Sequence, residues 1–275
     1  MAATPHARHA RTREQYVKQL IRKRYTGIAN ADPTSTGGHE RARQDGYPAA
    51  HLAALPRNTV ARYSGCGYAL EDLNLRGMRV IVDLGCGAGL DACLIAACLD
   101  AGARVVALDL THAMLERVRE TARELSRTGI QPVAGDMERL PLRDAIADVV
   151  LANASFNLTL NAQAAFAEAA RILRPGGQLI ARELVREQVL PAELATDPLG
   201  WNASLGGVPE EATLREMLLS AGFEDVRIVD HRPFAPVTSV RLRARRRYDH
   251  QQITPASSLV QSTANCRSAV TVDRF

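Results

Sequence analysis

The sequence predicts an α/β fold, a doubly wound parallel sheet, and three observations predict it. From residue 80 onward, short apolar runs alternate with amphipathic helical segments. The stretch VIVDLGCGAGLDACL, residues 80–94, runs a buried strand into a glycine-rich turn and then into a helix. The next apolar run, Arg104–Leu108, ends on an acid, Asp109, at the strand edge where doubly wound folds gather their ligands.

The elements follow in order. Residues 1–12 read as a disordered lead. Val17, Leu20 and Ile21 recur at helical spacing, so a short amphipathic helix is expected from Arg13 to Tyr25. The polar stretch NADPTSTGGHERARQDG predicts a long loop of the kind that serves as a lid or binding segment. A short helix over 48–55 is expected to stop at Pro56, and NTVARYSGCG then leads toward the first core strand, Val80–Leu84. Leu90–Leu99 is a helix and Arg104–Leu108 a strand. Thr111 is placed to cap a helix whose apolar face is Met114, Leu115, Val118, Ala122 and Leu125.

A short strand, Gln131–Ala134, precedes the loop GDMERLPL. Asp148–Ala152 is the fourth strand and 161–173 an alanine-rich helix. LRPGG, residues 173–177, supplies a glycine stop before the fifth strand, Gln178–Leu184. Beyond a linker containing PLGWNASLGGVP, Pro209–Ala221 has the proline start and glycine exit of a helix. Asp225–Val229 and Ser239–Ala244 close the sheet, and 248–275 reads as a poorly ordered tail. The expected organisation is an N-terminal helical segment and lid over 1–75, a core domain over 76–247 and the tail.

Composition narrows the partners. The 275 residues are 46% hydrophobic and 23% charged with a net charge of +4, so no single-sign field calls for nucleic acid. RLRARRR, residues 241–247, alternates Val240, Leu242 and Ala244 with arginines, the pattern of a strand with one buried face. At 4% aromatic residues the chain has too few rings for a base-stacking platform. Five cysteines without C-x-x-C spacing suit reduced thiols and offer no readable zinc or other metal site. With no apolar signal core and no run of eighteen apolar residues, a cytoplasmic protein without a membrane segment is expected. The oligomeric state stays open.

The glycine turn decides the ligand. Gly85, Gly87 and Gly89 give G-x-G-x-G rather than the dinucleotide G-x-G-x-x-G, whose third glycine is replaced by Leu90. Asp83 at the mouth of the turn would repel a pyrophosphate and welcome an ammonium. Asp109 is suited to accept two ribose hydroxyls. In GDMERLPL, Asp136 can accept from an adenine amino group and the Met137 backbone can pair with the ring edge, while Met114 packs on the adenine face. A nucleoside with a cationic end fits these groups.

VDLGCGAG, ALD, GDMERLP and LRPGG, in this order and spacing, resemble the class I S-adenosylmethionine-dependent methyltransferases. The resemblance implies a seven-stranded, mostly parallel Rossmann-like sheet whose last strand is antiparallel. It also implies S-adenosylmethionine as cofactor, with Asp83, Gly85 and Gly87 facing its amino-acid moiety and Cys86, Gly89 and Leu110 beside them in the donor site. RKRYTGIA, YPAAHLAALPRNTVARYSGCG, LANASFNLT and SVRLRAR are similar to the arsenite methyltransferase branch, in which Tyr63 and Cys66 match a motif near the donor. The branch holds arsenic on several cysteines, and this chain departs from it. TSTGGH has none, Ala154 and Ala203 stand where others fall, and only Cys66 is kept. Cys266 lies far off in the tail.

The expected activity is therefore methyl transfer to a small organic molecule, a specialised metabolite, with Asn153, Tyr63 and Glu183 on the acceptor side and Trp201 and the lid as pocket walls. Residual arsenite methylation, methylation-triggered ring closure and donor binding without turnover remain open beside it. Each residue also has a plainer reading. Cys86 is a small residue between glycines, and Cys93 and Cys98 are core packing. Cys66 is either a relic of a metalloid site or a pocket wall. Asn153 is either a substrate-orienting amide or a turn asparagine, and Glu183 either a base or a surface acid. His112 sits at the cofactor rim, and His39 is a solvated loop histidine.

Overall fold

The computed structural model describes residues 5–71, 73–189 and 205–248. One seven-stranded sheet has the order β3-β2-β1-β4-β5-β7-β6. Its strands are β1 Val80–Leu84, β2 Arg104–Asp109, β3 Ile130–Ala134, β4 Ala147–Asn153, β5 Leu173–Val185, β6 Phe223–Phe234 and β7 Val237–Arg246. The inner strands pair in parallel, and β7 runs antiparallel between β5 and β6. Chain order reverses between β1 and β4, so a crevice opens at their carboxyl ends.

Alternate strand residues enter opposite faces. Val80, Val82 and Leu84 join Phe166, Leu214 and Leu218 on one side, contributed by α7 Ala162–Ile172 and α8 Glu211–Ser220. Ile81, Val105 and Leu151 meet Leu94 and Val118 on the other, from α5 Leu90–Cys98 and α6 His112–Glu124. Asp83, in step with Ile81, is thereby directed to the α5 side. Tyr47, Leu52, Val60 and Tyr63 of the N-terminal segment share that second cluster. No helix of the described residues is long and apolar enough to cross a membrane.

Several boundaries differ from expectation. The first helix, α1, spans Pro5–Asn30, overrunning the predicted lead, because Val17 and Ile21 find Leu110, Leu158 and Leu160 to pack against. The expected loop contains α2 Gly38–Gln44, entered through Gly37 at φ 65°. After α3 Ala49–Ala53, Pro56 does not stop a helix but begins one, occupying the N-cap of α4 Arg57–Ala61. α7 ends at Ile172 because Pro175 forces Arg174 out of the helical region, and LRPGG becomes an irregular start to β5 rather than a glycine cap. β6 and β7 are longer than predicted, since register shifts beside Asp225 and Asp230 break the alternation that sequence reading follows. Thr111 occupies the N-cap of α6, but its hydroxyl turns to Asp109 instead of the helix. The predicted wall Trp201, with Ala203, Cys266 and nearly all of the tail, lies outside the described residues.

Candidate active site

The glycine turn is built by left-handed backbone and by the end of β2. Gly85, Gly87 and Gly89 have φ of 74°, 53° and 87°, a region costly for any residue with a Cβ. The N–H groups of Gly85 and Cys86 both donate to the Leu108 carbonyl, and that of Gly87 donates to Asp109 Oδ2 at 3.0 Å. Asp109 Oδ1 accepts the Thr111 N–H at 2.7 Å. The acid thus fixes the turn and still borders the cleft, where burial raises its pKa while those N–H groups pull it down.

The cleft has two chambers that share Ser64, Gly85, Gly87 and Asn153. The larger, about 700 Å³ and open to solvent, is bordered by Asp109, Leu110, Asp136 and Met137, with Lys18, Ile21 and Tyr25 of α1 as its outer wall. Lys18 is nearly buried. Its ammonium lies 2.6 Å from Asp136 Oδ2, 3.0 Å from Glu138 Oε2 and 2.6 Å from Glu14 Oε1. Burial lowers its pKa, and the three carboxylates more than reverse this, so it stays charged.

The smaller chamber, about 400 Å³, is bordered by Asp83, Cys86, Asp91, Arg62 and Tyr63. Asp83 is 2% exposed and its Oδ2 has no hydrogen-bond partner. Burial, followed by the charges of Asp91 and Asp109, holds its pKa well above the carboxylate range. Asp91, in the first turn of α5, is pushed up to about 6, again chiefly by burial. The Arg62 guanidinium does not pair with either acid: it donates to the carbonyls of Ala29, Asn58 and Ala31.

One hydrogen-bonded cluster fixes the loop between the chambers. Asn153 Oδ1 accepts the Cys66 N–H at 3.0 Å, and its Nδ2 lies 2.9 Å from the Gly67 carbonyl and 3.1 Å from both Asp91 Oδ2 and the Tyr47 hydroxyl. Tyr47 donates to Asp91 Oδ1 at 2.7 Å. Tyr63 donates to Asp45 Oδ2 at 2.8 Å and accepts the Gly67 N–H at 3.0 Å. A Cβ on Gly65 would fall 2.5 Å from Asn153 Oδ1, so the loop passes against the amide as bare backbone.

Of the residues predicted for the donor, Asp83, Gly85, Cys86, Gly87, Asp109, Leu110, Asp136, Met137, Tyr63 and Asn153 border this cleft. Two do not. Met114 is fully buried beneath α1, among Ala29, Ala88 and Tyr25, because the helix face read as apolar is covered by a segment distant in sequence. Gly89 borders neither chamber; a Cβ there would meet Val118 at 3.0 Å, so its bareness serves the packing of α5 on α6.

Glu183 is neither a surface acid nor a cleft residue. It is 2% exposed, and its Oε1 accepts the N–H groups of Ser155 and Phe156 at 2.9 and 3.0 Å, fixing the turn after β4. Burial pushes its pKa up to about 7. Cys66 is buried with Ala154, Leu184 and Val237, and burial pushes its thiol up, keeping it neutral. Cys93 is buried, but Cys98, expected in the core, is exposed at the end of α5. His112 is exposed, and His39 lies 3.1 Å from the Arg57 carbonyl. Sequence reading missed Lys18, Arg62 and Asp91. An acid in a first helical turn ordinarily complements the helix dipole, which hid Asp91. Nothing local marked the other two.

Residues 82–181 match the family described as "Methyltransferase domain". The chain is 28% identical over 231 residues to an arsenite methyltransferase of Halobacterium salinarum, covering 77% of this chain and 58% of that one. It is 30% identical over 191 residues to an arsenite methyltransferase of Aquipseudomonas alcaligenes, covering 67% of this chain and 55% of that one. It thus spans a little over half the length of these relatives. Among solved structures, an arsenic (III) S-adenosylmethionine methyltransferase from Chlamydomonas reinhardtii superposes with a TM-score of 0.62 over 72% of each chain at 24% identity, a likeness of fold. By sequence and fold, residues 82–181 form a class I S-adenosylmethionine-dependent methyltransferase domain, and the chain is similar to the arsenite methyltransferase branch.

Proposed function

We propose that the chain is a cytoplasmic methyltransferase of specialised metabolism that moves a methyl group from S-adenosylmethionine to a small organic molecule, with 76–247 as its catalytic domain. The observation that carries the donor assignment is the two-ended cleft. A carboxylate already tied to the glycine turn, Asp109, borders one chamber, and the other holds the unpartnered, buried Asp83 Oδ2. The bare Gly87 between them leaves room that a Cβ would enter. These groups fit a nucleoside at one end and an ammonium at the other.

When bound, S-adenosylmethionine supplies an electrophilic methyl on a sulfonium. The chain's own part is to orient both reactants in line and exclude water. Tyr63 and Asn153 hold the 63–67 loop against the cleft, Glu183 holds the turn at 155–158, and Ile21 and Tyr25 give the larger chamber an apolar wall.

An organic acceptor is favoured over arsenite by the thiols. Among the described residues only Cys86 borders the cleft, while Cys66 and Cys93 are buried and Cys98 faces away from the core. A soft metalloid held by several thiolates finds no such set there. Purified protein incubated with donor and pools of small phenols, amines and carboxylic acids is expected to release S-adenosylhomocysteine, read by mass spectrometry. Arsenite with a thiol reductant is expected to give none. Turnover with arsenite alone would overturn the acceptor reading, and absence of donor binding would overturn the whole.

A further inference from the structure

Resting on that donor reading, we propose that Asp91 and Asp83 form a cation-receiving subsite that carries a proton on one of its two carboxyls in the free protein and releases it when an α-ammonium enters. The geometry sets up the problem. Two buried carboxyl groups, one from the end of β1 and one from the first turn of α5, border one chamber. Asp83 receives the Ala92 N–H and leaves Oδ2 without a partner. Asp91 is satisfied by neutral donors, Tyr47 and Asn153. The cation bordering the chamber, Arg62, spends its Nε and both Nη atoms on carbonyls. Two like charges buried together without a counter-ion are not sustainable, and one oxygen takes a proton.

The surrounding titratable groups do not relieve this. Tyr47, Tyr63 and Tyr68 from the N-terminal segment, Cys86 from the turn and Cys93 from α5 are all pushed upward, so they are neutral near pH 6. Asp109 at the end of β2 raises Asp83 further. Asp91 itself lies at about 6 and Asp83 well above the usual carboxylate value, the direction the geometry requires. An arriving ammonium supplies the missing counter-charge. The O–H bond of the pair then breaks, its proton passes to water and buffer, and both carboxylates are left facing the cation. The pair titrates as a unit.

The test is calorimetric titration of the wild-type protein with S-adenosylhomocysteine at pH 6, in buffers of different ionisation enthalpy. Free α-amino groups titrate near 7.7–8, so the ligand's amine is already protonated there. The expected result is release of about half to one proton per ligand bound, with affinity rising up to about tenfold per unit between pH 5 and 6. 5′-Methylthioadenosine, which has the ribose and base but no ammonium, is expected to release none. Binding of S-adenosylhomocysteine without proton release, or equal release with both ligands, overturns the subsite. Failure of S-adenosylhomocysteine to bind at all overturns the donor reading instead.

Discussion

Gly87 and Gly89 belong to one motif yet are bare for different reasons, and replacing each by alanine separates them. Gly87 has φ 53°, and a Cβ there meets nothing within 4 Å, because it would project into the space both chambers share. Gly87→Ala therefore costs stability only for its left-handed backbone, about 1 to 2 kcal/mol. Its methyl, however, enters ligand volume, so donor affinity falls by tenfold or more, which is about 1.4 kcal/mol or above. Gly89 has φ 87°, and an added Cβ would lie 3.0 Å from Val118 Cγ2, where the start of α5 meets α6. Gly89→Ala adds overpacking to the backbone cost, for a total of about 2 to 5 kcal/mol, while the folded fraction binds with affinity within about threefold of wild type. Urea denaturation gives the stabilities and calorimetry with S-adenosylhomocysteine the affinities. If Gly87→Ala bound like wild type while folded Gly89→Ala did not, the placement of the ligand in the shared space would be refuted.

Two further predictions concern groups outside the glycine turn. Glu183 binds a proton in the fold more readily than in the unfolded chain, its pKa rising from the usual 4.5 to about 7, mainly through burial. Wild type therefore loses stability as pH climbs through that window, by up to about 3 kcal/mol. Glu183→Gln keeps an oxygen for the Ser155 and Phe156 N–H groups and cannot titrate, so it gains on wild type between pH 5 and 8; denaturation curves showing a difference independent of pH would remove the assignment. Lys18→Met removes the ammonium that ties α1 to Asp136 and Glu138, for a loss of about 1 to 3 kcal/mol, since part of the cluster faces solvent. Trypsin is expected to cut α1 faster after Arg22 or Lys23 in the variant, and S-adenosylhomocysteine to bind several-fold more weakly. Unchanged cleavage and affinity would show that α1 closes the cleft without this tie.

What was legible in the sequence was local. β1, β2 and the turn between β1 and α5 announced themselves because a strand buried on both faces is continuously apolar, and because left-handed backbone demands glycine. Asp109 was readable from its place at a strand end. What escaped was set by partners far along the chain. The apolar face of α6 correctly marked Met114 as turned inward, but nothing in α6 says that α1 lies over it, so the methionine reads as a ligand contact when it is core. Glu183 at the end of a strand looks like chemistry until the Ser155 and Phe156 N–H groups, 28 and 27 residues away, are seen to need an acceptor. The short helices α2 and α4 lack the length to stand alone, and they exist because Ala42 and Val60 are buried with the α5 face.

The three residues first expected to carry chemistry share a physical duty that bears on how this fold would accelerate methyl transfer. An ionised aspartate in place of Asn153 could accept from the Cys66 N–H but not donate to the Gly67 carbonyl; the amide does both, and the loop it pins borders both chambers at Ser64. Tyr63 meets the same loop at the Gly67 N–H, and Glu183 fixes the turn that follows β4, whose Ser155 and Leu158 border the larger chamber. Each commits its polar atoms to other protein groups, loop or turn backbone among them, which makes them positioning residues for two segments that border the cleft. In-line displacement at a sulfonium needs reacting atoms held about 3 to 3.5 Å apart and aligned, and effective molarities of 10⁵–10⁸ M are available from placement alone, on the order of 7 to 11 kcal/mol. A cleft whose rims are tied to the sheet by buried, geometrically specific hydrogen bonds is a means of obtaining that term without a dedicated base. An acceptor that arrives already deprotonated, or that attacks through a neutral lone pair, is the kind such rims would serve.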